Sequence, residues 1–163
     1  MTAAWVGMCC SKPPCLAVSL REATLTHGNI MRTKAFTVHI GTEKLAMETD
    51  YFGISTGRVT DKLADTGLTT TASKAVEAPL IEQYPLIIEC RLQQVVEVGL
   101  HTQFIGEIID VKADKAILGE KDLPDVDLLK PLVFSPVTRK YHGLGKTVGR
   151  AFQIGKKFKT KEE

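Results

Sequence analysis

Residues 86–111 hold two β-rich segments on either side of a glycine, and this pattern limits the possible folds more than any other part of the chain. In Leu86–Val98, apolar and polar residues alternate: one face carries Ile88, Cys90, Leu92, Val96 and Val98, and the other carries Glu89, Arg91, Gln93 and Glu97. Such alternation is typical of a strand with one buried face. Gly99 permits a tight turn, and Thr102–Val111 has the composition of a returning strand. The sequence therefore predicts a long antiparallel hairpin.

The remaining elements are shorter. Two further strands are predicted at Cys15–Leu20 and Ala35–Ile40. Four helices are predicted from capping residues and terminators: Leu25–Arg32 after the N-cap Thr24, Glu43–Tyr51 after Thr42 with Gly53 closing it, Asp61–Thr66 ending at Gly67, and Asp125–Lys130 between Pro124 and Pro131. This order lacks the regular alternation of a doubly wound sheet. It favours a mainly β fold, a closed or nearly closed antiparallel barrel with peripheral helices.

The two ends of the chain carry their own signals. Met1–Val6 has the composition of the latter part of a strand, so we expect a domain that is N-terminally incomplete, with its first strand missing. We expect one domain over residues 1–155, followed by a basic, solvated tail over residues 156–163.

Composition excludes several classes of protein. A net charge of +2 over 163 residues argues against a nucleic-acid-binding surface. No apolar run approaches the roughly 20 residues of a membrane span, and the N-terminus lacks the basic and apolar regions of a signal peptide, so we expect a cytoplasmic protein. The four cysteines (Cys9, Cys10, Cys15 and Cys90) lack the spacing of a metal site, which indicates reduced structural thiols and no bound metal.

Five segments, in this order, resemble a known family: Met1-Thr-Ala-Ala-Trp5, Cys10-Ser-Lys-Pro-Pro14, Ser19-Leu-Arg21, Phe52-Gly-Ile-Ser-Thr-Gly-Arg58 with Asp61-Lys62, and Gly99-Leu-His-Thr-Gln-Phe-Ile-Gly-Glu107. Together they resemble the flavin reductase-like family, and within it the flavoredoxin group, from Met1 to about Gly155. The resemblance implies a split β-barrel that binds FMN near the interface of a homodimer. In the family, an asparagine that touches the flavin and a whole strand precede the M-T-A-x-W segment, and neither is present in this sequence.

The resemblance also implies cofactor-binding residues in the first half of the chain. The M-T-A-x-W segment contributes Thr2, Ala3 and Trp5, the last packing along the flavin ring unless it is a core residue. Ser19 belongs to the same implied set. Thr26, at a helix N-terminus, suits a phosphate or ribityl hydroxyl, and its alternative role is an N-cap.

Charged and aromatic residues complete the implied site. Lys62 matches a family lysine at the cofactor, where a cation would stabilise the anionic reduced flavin, and the alternative is a solvated helix lysine. Arg21 and Arg58 are weaker candidates for the phosphate. His101 matches a family histidine that could bond the ring or shuttle a proton, although a histidine at a hairpin corner is ordinarily just exposed. Phe134 matches a family aromatic near the ring, or else is a core residue.

Two functions from different classes follow from this resemblance. The first is an enzyme that transfers hydride from NADH or NADPH to FMN and passes the electrons to an acceptor, with no residue predicted as catalytic acid or nucleophile. The second is a flavoredoxin-type carrier that keeps its FMN and exchanges electrons with redox protein partners. A third alternative is a split barrel that holds haem or a deazaflavin, although no axial-ligand pattern supports haem.

Overall fold

The computed structural model describes residues 1–159, which are mainly β as the sequence predicts. Their strands are β1 (Val6–Ser11), β2 (Pro14–Arg21), β3 (Ala35–His39), β4 (Thr70–Ala72), β5 (Pro79–Ile81), β6 (Leu86–Val98), β7 (His101–Ala113), β8 (Val133–Ser135) and β9 (Lys140–His142). Their helices are α1 (Leu25–Thr33), α2 (Ala46–Ile54), α3 (Lys62–Thr66) and α4 (Val126–Leu129). Short 3-10 turns cover Glu43–Leu45, Lys115–Ile117, Glu120–Asp122 and Ile154–Phe158.

One five-stranded antiparallel sheet organises the domain, in the order β1-β2-β7-β6-β3. The predicted β6–β7 hairpin is confirmed as its centre, and Gly99 in its turn has the positive φ of 51° that glycine adopts without strain. β4 pairs with β5, and β8 with β9, as separate two-stranded ribbons that the sequence did not predict. The main sheet is open, with β1 and β3 at its edges.

Local capping explains where most helices begin and end. The Thr24 hydroxyl accepts from the His27 amide, as the sequence predicts. Asp61, predicted as the first residue of its helix, instead caps α3, where a carboxylate oxygen accepts from the Ala64 amide. Gly67 ends α3 in a left-handed conformation. The predicted helix over residues 43–51 is wrong in detail: a 3-10 turn precedes α2, and α2 continues through Gly53 to Ile54 because glycine lowers helix stability without forbidding it.

The expectation that Met1–Val6 forms the latter part of a strand is also wrong, because residues 1–5 form no strand and β1 begins at Val6. The segment instead bonds to its surroundings: the Thr2 amide donates to the Phe52 carbonyl at 3.3 Å, and the Trp5 carbonyl accepts from the Ser19 amide at 2.9 Å. A 3-10 turn spans the predicted boundary between domain and tail, and residues 160–163 of that tail lie outside the described residues.

The alternation along β6 departs from the prediction at two irregularities in its pairing with β7, between Glu89 and Cys90 and between Leu92 and Gln94. The predicted polar residue Glu89 is therefore fully buried next to the equally buried Cys90. Ser73 donates to one carboxylate oxygen of Glu89, and the Lys112 ammonium lies 2.8 Å from the other as an ion pair without a well-aligned hydrogen bond. These contacts compensate a buried charge that would otherwise be costly.

The apolar core has two parts, one on each side of the sheet region around β6. The larger part packs α1 against the inner face of the sheet and contains Leu16, Val18, Leu20, Ile30, Phe36, Cys90 and Phe104. The smaller part lies beneath the β4–β5 ribbon and contains Leu45, Leu68, Leu80, Tyr84 and Ile87. Phe52 of α2 and Leu63 of α3 pack against this smaller part, and the ends of these two helices form the site described next.

Candidate functional site

A cleft of about 880 Å³ opens between the end of β2, the N-terminus of α1, the end of α2 and the start of α3. Its lining combines basic, hydroxyl and apolar side chains, among them Arg21, Thr24, Leu25, Thr26, Phe52, Ile54, Ser55, Thr56, Arg58, Thr60 and Lys62. This is a volume typical of cofactor pockets, and its mixture of apolar walls and a few polar groups is what such ligands need.

Lys62 is the most unusual residue of this cleft, because only 9% of its surface is exposed. Its ammonium donates to the Phe52 carbonyl at 2.9 Å and lies 5.4 Å from the centroid of the Phe52 ring. No carboxylate of residues 1–159 forms a salt bridge with it. Burial accordingly lowers the pKa of Lys62. A buried, unpaired cation of this kind is suited to an anionic ligand, which would restore its charge balance.

The N-terminus of α1 forms the opposite wall. Thr24, Leu25 and Thr26 line the cleft there, and the first turn of the helix contains no acidic residue. The amides of the first turn lack intrahelical partners, and the helix dipole places partial positive charge at the same end. Thr24 caps the helix, whereas Thr26 lies inside its first turn. The structure therefore gives the capping role to Thr24 and leaves the Thr26 hydroxyl at the cleft.

A compact turn over residues 55–60 closes the third side. The Thr56 carbonyl accepts from the Thr60 amide at 3.2 Å and from the Thr60 hydroxyl at 2.9 Å. The Arg58 amide also lies 3.4 Å from the Thr56 hydroxyl oxygen. These bonds hold the turn in one shape, and Arg58 is exposed on it at the mouth of the cleft.

Charge in the cleft is predominantly positive. Three basic side chains line it (Arg21, Arg58 and Lys62), against the single acidic residue Asp61, which is engaged in capping α3. The site therefore suits a ligand with one anionic end, held by cations, hydroxyls and helix amides, and a flat apolar body against Leu25 and Phe52.

Several predicted residues gather at the neighbouring end of the main sheet. Arg21, at the end of β2, pairs with His101, at the start of β7. Ser19 bonds to Trp5 through the backbone two positions earlier on the same strand, and Trp5 itself is 55% exposed. Since Arg21 also lines the cleft, this end of the sheet adjoins it.

Thr2 and Ala3 lie in surroundings that differ from each other, Thr2 at the edge of the cleft and Ala3 against the core. The Thr2 amide shares the Phe52 carbonyl with the Lys62 ammonium, so Thr2 lies at the edge of the cleft. Its hydroxyl donates to the Thr49 carbonyl in α2. Ala3 packs against the larger part of the core. Four of the ten predicted residues thus line the cleft directly (Arg21, Thr26, Arg58 and Lys62).

Phe134 is the predicted residue that lies apart. It belongs to β8 and packs against Tyr141 of β9, with ring centroids 5.4 Å apart, and it is not among the residues that line the cleft. The ribbon contacts α2 through Tyr141, whose hydroxyl donates to Asp50 at 2.9 Å.

Sequence reasoning missed part of the lining. Leu25, Phe52, Thr56 and Thr60 were not singled out, although Phe52 and Thr56 lie inside a motif that carried the resemblance. The signal that points to Thr56 and Thr60 is the run of hydroxyl residues over positions 55–60 between two short helices. Only the folded chain shows that this run faces the N-terminus of α1.

Other kinds of site are not found within residues 1–159. No helix there is long and apolar enough to cross a membrane. No three His, Cys, Asp or Glu side chains of that range gather in a way that could hold a metal ion. The four cysteines are free thiols, two of them exposed (Cys9 and Cys10) and two buried (Cys15 and Cys90).

The chain resembles known proteins over most of its length. The solved structure of flavoredoxin from Desulfovibrio vulgaris (Miyazaki F) is similar with a TM-score of 0.89 and 44% identity, covering 94% of this chain and 82% of that one. Flavoredoxin from Methanosarcina acetivorans is similar with a TM-score of 0.89 and 26% identity, covering 95% and 82%. An uncharacterized protein of Archaeoglobus fulgidus is 33% identical over 127 residues, 78% of this chain and 71% of that protein. Two further relatives match over 62% and 53% of their own lengths, so the chain spans less than two thirds of each.

The family model described as flavin reductase like domain matches residues 1–145. Its extent includes every strand of the main sheet and every residue of the cleft. The predicted resemblance and fold are therefore confirmed: the chain belongs to the flavin reductase-like domain family and has the split-barrel fold of the flavoredoxins.

Proposed function

We propose that this protein binds FMN in the cleft and passes electrons through it. The observation that carries the proposal is the buried Lys62, a cation with a carbonyl and an aromatic ring as its neighbours and no acidic partner among the described residues. Membership of a flavin-binding family and similarity to flavoredoxins support the choice of ligand.

The cleft residues fit such a cofactor. The FMN phosphate is a dianion, which the N-terminal amides of α1, the Thr26 hydroxyl and Arg58 are suited to hold. The isoalloxazine ring is flat and largely apolar, and Leu25 and Phe52 offer it apolar contact. A positive charge at Lys62 would favour the electron-rich, anionic form of the ring and so raise its reduction potential.

When bound, FMN supplies the redox chemistry itself, accepting two electrons as hydride and releasing them singly or in pairs. The protein would bind and orient the cofactor, exclude water from one face and provide the cation. Next to the cleft, His101 lies opposite Arg21, where an imidazole is suited to exchange a proton with the cofactor or with solvent.

The proposal has two forms. In the first, NADH or NADPH donates electrons, and the protein is a flavin oxidoreductase; in the second, a redox protein donates them, and the protein is a carrier. The 44% identity to a flavoredoxin structure favours the carrier form as a serious alternative. Rapid bleaching of the bound flavin by NADH or NADPH alone would support the first form. Bleaching only by a reduced protein would support the second.

The proposal also includes a homodimer in the cytoplasm, with the cofactor near the interface. Its support is a group of exposed apolar residues near the cleft end of the sheet, where Trp5, Val98 and Leu100 are 55%, 57% and 67% exposed. The open edge of the sheet at β1 is a second feature that a partner subunit would cover. Sedimentation that finds only monomer at micromolar concentration, with FMN still bound, would contradict this part.

The first experiment is the visible absorption spectrum of the purified chain, before and after incubation with FMN and desalting. A retained flavin spectrum is the expected result. If none is retained, the same measurement on a form extended at the N-terminus decides the matter, and failure of that form too would overturn the proposal.

The residue-level test is Lys62→Met, with Lys44→Met as a matched control. Lys44 is exposed and lies outside the cleft, so its loss removes the same charge from the chain without touching the site. A hydrogen bond to a charged group contributes about 1.5–3 kcal/mol, so Lys62→Met should weaken FMN binding about 10- to 100-fold in a fluorescence titration. Equal affinities for the two variants would show that Lys62 does not contact the ligand.

A further inference from the structure

The β1–β2 hairpin places two cysteines directly opposite each other. In its antiparallel register Cys10 of β1 faces Cys15 of β2, next to the turn that joins the strands. Directly opposite residues in an antiparallel pair present their side chains on the same face, with Cα atoms about 4.5–5.5 Å apart. This separation lies inside the range of about 4.4–6.8 Å that disulfides require.

The neighbouring Cys9 occupies a different position. The register of the hairpin shifts between Met8 and Cys10, so Cys9 is the extra residue of a bulge and has no partner on β2. Of the two adjacent cysteines, only Cys10 is thus held opposite Cys15 by the backbone pairing.

The two facing thiols differ in access. β1 is an edge strand and Cys10 is exposed, with its Sγ 3.3 Å from the Lys12 carbonyl, whereas Cys15 is only 6% exposed. Burial raises the pKa of the Cys15 thiol, and the adjacent Cys10 and Cys9 thiols raise it further. An oxidant from solvent would therefore meet Cys10 first, with Cys15 close by as an unreacted thiol.

We propose that Cys10 and Cys15 form a reversible cross-strand disulfide when the protein meets a hydroperoxide. The Cys10 thiolate attacks the peroxide, the O–O bond breaks, and the products are a sulfenic acid at Cys10 and water or an alcohol. The Cys15 sulfur then attacks the Cys10 sulfur, the S–O bond breaks, and the Cys15 proton leaves with the hydroxide as water. Two thiols and one hydroperoxide thus give one disulfide, one water and one further water or alcohol.

This site is separate from the cleft. Cys15 and Arg21 stand at opposite ends of β2, six residues and about 20 Å apart at the rise of an extended strand. The disulfide proposal is consequently independent of whether the protein binds FMN. A result that contradicts one of these two proposals does not affect the other.

The experiment uses the full chain without a variant. The reduced protein is treated with one equivalent of hydrogen peroxide, alkylated under denaturing conditions, digested with trypsin and analysed by mass spectrometry. The peptide over residues 1–21 contains Cys9, Cys10 and Cys15, since the bond between Lys12 and Pro13 resists trypsin. Before peroxide, all three should be alkylated. Afterwards only Cys9 should be, so that the peptide carries one alkyl group instead of three and is two hydrogens lighter than its singly alkylated dithiol form, and dithiothreitol should reverse the change. Cys90, which is fully buried and has a pKa of about 12, is the internal control and should remain alkylated throughout.

Variants separate this pairing from its alternatives. Cys9→Ser should form the disulfide as the natural chain does, whereas Cys15→Ser should lose it and leave a Cys10 sulfenic acid that dimedone traps. A Cys9–Cys15 disulfide, a disulfide between two chains, or over-oxidised Cys10 beside an alkylated Cys15 in the natural chain would each overturn the proposal.

Discussion

Gly106 offers the sharpest test of how the core is packed. It lies at the middle of β7, and a methyl group built there would stand 2.6 Å from Cζ and 2.7 Å from Cε1 of Phe36, and 2.9 Å from Cβ of Cys90. Phe36 is 6% exposed and Cys90 is fully buried, so neither has space to withdraw into. The ring of Phe36 reaches from β3 across β6 only because position 106 has no side chain.

We expect Gly106→Ala to destabilise the fold by about 1–3 kcal/mol, the usual cost of overpacking a core. For a chain of this size, that lowers the melting temperature by about 2–12 °C. Urea unfolding followed by circular dichroism measures it as a lower midpoint at unchanged slope.

Gly28→Ala is the matched control. Gly28 lies on the exposed side of α1, and a methyl group there meets nothing within 4 Å. Alanine should therefore stabilise the helix by about 0.5–1 kcal/mol. The two substitutions are chemically identical and opposite in expected sign. A Gly106→Ala variant as stable as the natural protein would refute the packing described for Phe36.

Three further predictions concern buried or capping polar groups. Burial lowers the pKa of His39 to about 4, and its Nε2 accepts from the Ile81 amide at 2.8 Å. The free energy of unfolding should therefore be constant above pH about 6.5 and fall by up to about 3 kcal/mol as the pH drops towards 4. In urea titrations, His39→Gln, which keeps an acceptor, should reduce this dependence on pH. Lys112→Met leaves the buried Glu89 carboxylate without its cation and should cost about 1–3 kcal/mol at neutral pH, a loss that Lys44→Met should not reproduce. Asp61→Ala removes the cap of α3 and should cost about 1 kcal/mol by thermal unfolding, whereas Asp61→Asn should retain most of it.

Local signals in the sequence account for much of the fold. The alternation from Leu86 to Val98 with Gly99 predicts the central hairpin, because period-two burial and a positive-φ turn are properties of neighbouring residues. The caps Thr24 and Asp61 are likewise local, since each side chain bonds an amide three positions along. The split barrel and the role of Lys62 at the cofactor were predicted from the resemblance to the family, because no periodicity or spacing in the sequence indicates them.

Long-range packing decided what local signals could not. The alternation of polar and apolar residues predicts that Glu89 faces solvent. In the structure, an irregularity in the strand pairing and the β4–β5 ribbon bury it against Ser73 and Lys112, which lie 16 and 23 positions away. A helix lysine is ordinarily solvated, but Lys62 is buried, and its ammonium donates to the carbonyl of Phe52 in another helix. The sequence by itself thus determined the central strands, most of the helix ends and the family. The tertiary structure decided which charges are buried and which residues share a cleft, because desolvation and charge pairing depend on atoms that only the folded chain brings together.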